Sequence, residues 1–81
     1  MILKKNTISI EYELSELETA IMSIINKYPS TVHQIQTILR FQGMGNISSM
    51  EISQILHDLR IIGLVSKERK NARVYLYSRQ N

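Results

Sequence analysis

The sequence contains no cysteine and no tryptophan, only one proline and three glycines, and no long run of apolar residues. Without cysteine the chain has no disulfide scaffold, no thiolate metal site and no thiol nucleophile. Without a long apolar run it has no segment suited to a secretion signal or a membrane span, so we expect a cytoplasmic protein with no membrane partner. At 81 residues we expect one domain, residues 1–81, with a modest core and no room for a separate cofactor-binding domain.

Charge is unevenly distributed along the chain, whose formal net charge is +3. Residues 1–40 carry equal numbers of basic and acidic residues, whereas residues 64–81 carry five basic residues against the single acid Glu68. A positive field concentrated at one end suits a polyanionic partner. A solvated basic loop gives the same pattern and is the commoner case, so charge alone leaves both interpretations open.

Three segments begin with the same local signal for a helix start. In each, a serine or threonine precedes a glutamate or glutamine by three residues, which is the spacing of a capping box. These pairs are Ser15 with Glu18, Thr31 with Gln34, and Ser48 with Glu51. Pro29, the glycines at 43 and 45, and Gly63 are expected to end the helices. The sequence therefore predicts helices over residues 16–28, 32–42 and 49–62.

Apolar residues recur at helical spacing in all three segments, so each predicted helix has one face suited to a core. The predicted stripes are Leu17, Ala20, Ile21, Ile24, Ile25 and Tyr28 in the first helix, Val32, Ile35, Ile38 and Leu39 in the second, and Ile52, Ile55, Leu56 and Leu59 in the third.

Residues 7–14 alternate strictly between apolar and polar side chains, which predicts a half-buried strand. The apolar face of this strand consists of Ile8, Ile10, Tyr12 and Leu14. This face and the free edge of the strand make it the best candidate for joining two copies of the chain. The alternative is that it packs on the three helices of its own chain.

Residues 64–78 predict a β-hairpin with a basic tip, because a polar stretch separates an apolar segment from a β-branched and aromatic one. Asn71 in that polar stretch tolerates the left-handed conformation that tight turns use. Val74 and Leu76 alternate with two tyrosines in the last strand, and we expect the aliphatic pair to face the core.

The order of three helices and a hairpin, with Ile52, Leu56, Leu59 and then Gly63-Leu64-Val65, resembles the winged helix-turn-helix family of transcriptional regulators. Residues 52–65 reproduce the spacing of that family's recognition helix and its exit into the wing, and the resemblance covers roughly residues 16–78. PadR-like and MarR-like DNA-binding domains are equally similar. The resemblance implies an α+β winged helix-turn-helix fold, three helices followed by a two-stranded β-hairpin wing, here with an extra N-terminal strand.

The third helix would carry the candidate site. If it buries its apolar stripe, a rotation of about 100° per residue places five other side chains on the opposite face, namely Met50, Ser53, Gln54, His57 and Ile61. A major groove admits such a helix, and Ser53 and Gln54 are the candidate base contacts. Ser49, at the positive end of the helix dipole, is a candidate phosphate contact. A solvated helix face is an equally good account from periodicity alone.

The predicted DNA-binding residues follow from that geometry and from the implied wing. They are Ser49, Met50, Ser53, Gln54 and His57 in the recognition helix and Lys67, Arg69, Lys70 and Arg73 in the wing. The wing cations would hold phosphates and supply affinity more than specificity.

We therefore expect a sequence-specific double-stranded DNA-binding regulator, for example a repressor, that acts as a homodimer and is not an enzyme. The alternative is a winged-helix protein interaction module in which Met50, Ile61 and Ile62 form the contact surface. We expect no cofactor and no metal site, since His33 and His57 are the only histidines and a site would need carboxylates as further ligands.

Overall fold

Three helices and an antiparallel hairpin make up residues 14–80, the part of the chain that this computed structural model describes. The helices are α1, Glu16–Lys27, α2, Val32–Phe41, and α3, Ser49–Ile61, and the strands are β1, Val65–Arg69, and β2, Tyr75–Arg79. This is the expected α+β layout of a winged helix. Each helix ends one residue earlier than predicted, with Tyr28, Gln42 and Ile62 as the C-caps. The strand predicted over 7–14 lies outside the described residues, except for Leu14, which is not in a strand.

All three predicted capping boxes are present. At the start of α3 the Glu51 amide donates to the Ser48 hydroxyl oxygen at 3.1 Å, and the Ser48 amide donates to the Glu51 carboxylate at 3.1 Å. The starts of α1 and α2 have the same reciprocal pairs. Because each cap satisfies backbone N–H groups that have no partner inside the helix, the starting residue is fixed by local sequence.

Two glycines end α2 and α3 in the same way. Gly43 has φ of 76° and Gly63 has φ of 87°, the left-handed region that side chains with a Cβ avoid. After Gly63 the Leu64 amide donates to the Leu59 carbonyl at 2.9 Å, and the Gly63 amide donates to the Arg60 carbonyl at 3.0 Å. This paired arrangement is a Schellman motif, and it turns the chain out of α3 and directly into β1.

The core is mostly aliphatic and is formed by one face of each helix together with the base of the hairpin. Its fully buried side chains, all on the predicted stripes, are Ile21, Ile25, Ile35, Leu39, Ile52, Leu56 and Leu59. Burial of each contributes about 1.5–3 kcal/mol to folding. Leu17, Ala20, Val32 and Ile55 are partly buried and pack against this cluster.

Two residues assigned to the stripes lie at the surface. Tyr28 is 72% exposed because it is the C-cap of α1 and has extended backbone angles, so it leaves the line of the helical stripe. Ile38 is 36% exposed because it lies about 100° around α2 from Leu39, on the rim of the packed face.

The hairpin pairs β1 with β2 in antiparallel register, with Val65 opposite Arg79 and Lys67 opposite Tyr77. Ser30, just before α2, forms a bridge to β2: its amide donates to the Tyr77 carbonyl at 2.9 Å, and the Tyr77 amide donates to the Ser30 carbonyl at 2.8 Å. This bridge attaches the start of α2 to the wing.

The face of β2 that meets the core is the opposite of the predicted one. Tyr77 is 7% exposed and belongs to the core, and Tyr75 packs against it, whereas Val74 and Leu76 are only half-buried and lie outside the cluster. In the hairpin register Val65 and Tyr77 share one face, so the burial of Val65 beside the helices turns the tyrosines inward.

The corrected orientation of β2 predicts a difference between two neighbouring substitutions. Tyr77→Ala should lower the free energy of unfolding by about 3 kcal/mol, because it leaves a cavity in the core. Leu76→Ala, on the other face, should cost only about 1 kcal/mol. Urea denaturation followed by circular dichroism measures both. An equal loss, or a larger loss for Leu76→Ala, would contradict the orientation described here.

Candidate nucleic-acid interface

The outer face of α3 is open to solvent along its length. Ser49, Ser53, Gln54 and His57 are exposed, and Met50 is 80% exposed. All five predicted recognition-helix residues therefore lie on the surface, outside the buried stripe of the same helix. The orientation that periodicity predicted for α3 is confirmed.

The hairpin presents the four predicted wing cations, which are all exposed: Lys67 in the middle of β1, and Arg69, Lys70 and Arg73 at the tip. Asn71 holds this tip by its side chain: its amide oxygen accepts the backbone N–H groups of Arg73 at 3.1 Å and Val74 at 3.2 Å. No residue other than glycine has a positive φ within residues 14–80, so the left-handed conformation suggested for Asn71 does not occur. An Asx turn shapes the tip instead.

An open cleft of about 550 Å³ separates the starts of α2 and α3 from the hairpin. Ser49 and Ser53 line it from α3, and Arg73 lines it from the wing. Two hydroxyl groups and a guanidinium group thus border one concave surface. Hydroxyl and guanidinium groups are the donors with which proteins bind phosphate oxygens and base edges.

Thr31, Val32 and His33, at the start of α2, line the same cleft and are not among the site residues predicted from the sequence. Thr31 could be recognised from sequence as a helix cap. Its position beside the wing depends on the Ser30–Tyr77 bridge, which joins segments far apart in the chain.

The other predicted residues do not line the cleft. Met50, Gln54 and His57 point away from the core on the outermost part of α3. The Gln54 side-chain nitrogen donates to the Asp58 carboxylate at 3.1 Å. In the wing, the Lys67 ammonium lies 4.2 Å from the centre of the Tyr75 ring, which directs this cation along the hairpin face.

Charge differs between the two flanks of α3. Ser49 and Ser53 form the flank beside the wing, whereas Glu51 and Asp58 lie about 140–180° away around the helix axis. A polyanion is therefore attracted on the wing flank and repelled on the acidic flank. This asymmetry favours one orientation of α3 relative to a charged backbone.

Within residues 14–80 no helix has the length and apolar character needed to cross a membrane. Over the same residues no three His, Asp or Glu side chains are grouped so that they could hold a metal ion.

Comparison of the sequence with known proteins gives no assignment: no protein-family model matches the chain, and no similar sequence is found among curated proteins.

Proposed function

We propose that this protein is a sequence-specific double-stranded DNA-binding regulator of the winged helix-turn-helix family. The observation that carries the proposal is that one exposed flank of α3, with Ser49 and Ser53, borders the same cleft as Arg73 of the hairpin. A helix is about 10–12 Å wide with its side chains, and the major groove of B-DNA is about 12 Å wide. In the proposed complex α3 lies in that groove and the wing follows the adjacent backbone.

Each part of the surface has a separate role in the proposed complex. Gln54 and Ser53 contact base edges, since Gln pairs with adenine and Ser bonds several bases. Met50 and His57 lie on the same outer face, where Met50 can contact a thymine methyl group. Ser49 contributes a hydroxyl and a backbone N–H at the positive end of the α3 dipole, a combination that favours a phosphate.

The wing supplies an electrostatic term that depends on salt. If all four wing cations contact phosphates, log K falls with log[salt] with a slope of about −3.6, and affinity drops about a hundredfold between 50 and 200 mM salt. One chain alone would then bind weakly at physiological salt. Two copies on neighbouring half-sites of one duplex double the contacts, so we propose that the regulator acts as a homodimer.

Segment 7–14 is the proposed dimer contact, on the basis of its alternating pattern. In this proposal the protein has no catalytic activity and binds DNA in the cytoplasm.

A protein interaction module is the second candidate, and the exposure of apolar side chains on α3 favours it. Met50 is 80% exposed and Ile61 is 69% exposed. They lie eleven residues apart, about 16 Å along the helix axis, with the polar side chains of Gln54 and His57 between them. A continuous apolar patch of the kind that binds proteins is thus interrupted by polar groups, and we favour DNA as the partner.

The contribution of the wing to salt-dependent affinity predicts the effect of removing two basic side chains from its tip. Lys70→Ala combined with Arg73→Ala should flatten the salt dependence of duplex binding by up to about 0.9 in log–log slope for each lost phosphate contact. The charge-matched control replaces Lys27 and Arg40, which lie at the ends of α1 and α2. Fluorescence anisotropy at several salt concentrations gives the slopes. Equal slopes for the two double variants would contradict the role of the wing.

Base recognition by α3 predicts a different effect for Gln54→Ala. Preference at one base pair should relax by roughly 1–3 kcal/mol, while binding to unrelated duplexes stays almost unchanged. Gln80→Ala is the matched control, because Gln80 is an exposed glutamine that directly follows β2. Selection of bound fragments from random duplex DNA at fixed salt measures the preference. An unaltered preference in Gln54→Ala would remove Gln54 from the site.

If the protein is a homodimer, two differently tagged copies of the chain should form a mixed dimer. When two copies of the chain that carry tags of different size are mixed, size-exclusion chromatography should resolve a species of intermediate size. Ile10→Glu, on the apolar face of segment 7–14, should abolish the hybrid, whereas Ser9→Glu, on the polar face, should retain it. A strictly monomeric wild-type chain would end the dimer proposal.

A further inference from the structure

Gln54 and Asp58 form a hydrogen-bonded pair one turn apart on the exposed surface of α3, where Gln54 lies on the outer face and Asp58 on the neighbouring acidic flank. The side-chain nitrogen of Gln54 donates to an Asp58 carboxylate oxygen at 3.1 Å, and both residues are exposed. An ionised carboxylate can only accept hydrogen bonds. The amide of Gln54 must therefore turn its nitrogen toward Asp58, and its oxygen is left to point away from Asp58.

We propose that Asp58 is a positioning residue that sets the base preference of Gln54. With one amide proton held by Asp58, Gln54 presents its carbonyl oxygen and one remaining proton to the groove. Adenine offers the matching pair, an N6 amino donor beside the N7 acceptor. Guanine and thymine present the acceptors O6 and O4 in place of the amino group, and they would face the Gln54 oxygen without a proton between them. This inference rests on the proposed DNA-binding function and names the base that the site selects.

Two physical effects of Asp58 can be separated. Its charge repels the DNA backbone and lowers affinity for every sequence alike. Its hydrogen bond acts only on the orientation of Gln54. In water such a pair on a helix changes an equilibrium by about twofold. A hydrogen bond to a charged acceptor is roughly twice as strong as a neutral one, and the effect grows where a groove excludes water. The orientation effect is thus large enough to measure as a base preference.

Asp58→Asn in the full-length chain tests this inference, because asparagine keeps the shape of the side chain but can donate as well as accept. Glu68→Gln is the charge control: it removes one negative charge from an exposed residue of β1 that does not contact Gln54. The same Asp58→Asn change in a Gln54→Ala background completes a double-mutant cycle. The readouts are base preference by selection from random duplex DNA and affinity for an unrelated duplex, both at one stated salt concentration.

The expected result has two parts. Both single variants raise affinity for the unrelated duplex, since each removes one negative charge. Only Asp58→Asn reduces the preference for adenine at one base pair, by roughly twofold to fivefold, and this reduction disappears in the Gln54→Ala background.

Three results would overturn the inference. If Asp58→Asn and Glu68→Gln leave the same base preference, Asp58 acts only through its charge. If the reduction persists without Gln54, Asp58 contacts DNA by itself. If the wild-type chain binds no duplex even at low salt, both the DNA-binding proposal and this inference fail. If the wild-type chain binds DNA but Asp58→Asn leaves the base preference unchanged, only this inference fails.

Discussion

Burial of the inner stripe of α3 is the constraint on which the rest of the structure depends. Ile52, Leu56 and Leu59 have no exposed surface, and α3 packs on α2 and β1. Truncation of one such side chain costs about 2–5 kcal/mol, a large part of the stability of a domain this small. Since each residue of a helix is rotated by about 100° from the next, fixing the inner stripe also fixes which side chains face outward. The orientation of the candidate interface is therefore a consequence of core packing.

Two backbone features then place the wing beside that interface. The Schellman motif at Gly63 directs the chain from α3 into β1 through a turn of three residues, 62–64. The bridge between Ser30 and Tyr77 attaches β2 to the start of α2. The cleft lies between these two attachments, so Arg73 on the wing and Ser53 on α3 border the same surface although they are twenty residues apart.

Features that depend on local sequence could be predicted, and features that depend on distant contacts could not. A capping box and an apolar stripe each involve residues that are close together in the sequence. The predicted first residues of all three helices and the predicted outer face of α3 were therefore correct. The alternation in β2 defines two faces but not which one is buried, since that depends on the packing of Val65 and on the register of Tyr77. The part of the site formed by Thr31 was missed for the same reason: α2 meets the wing only in the folded chain.

In the proposed complex, the outer face of α3 and the wing together form the surface that meets duplex DNA. Titration of the isotope-labelled chain with duplex DNA, followed by amide chemical shifts in NMR spectra, tests it residue by residue. If this surface binds DNA, the largest chemical-shift changes should fall on residues 49–57 of α3 and residues 67–73 of the wing, with smaller changes on α1 and the outer face of α2. Shift changes concentrated on α1 or α2, or no changes at low salt, would contradict it.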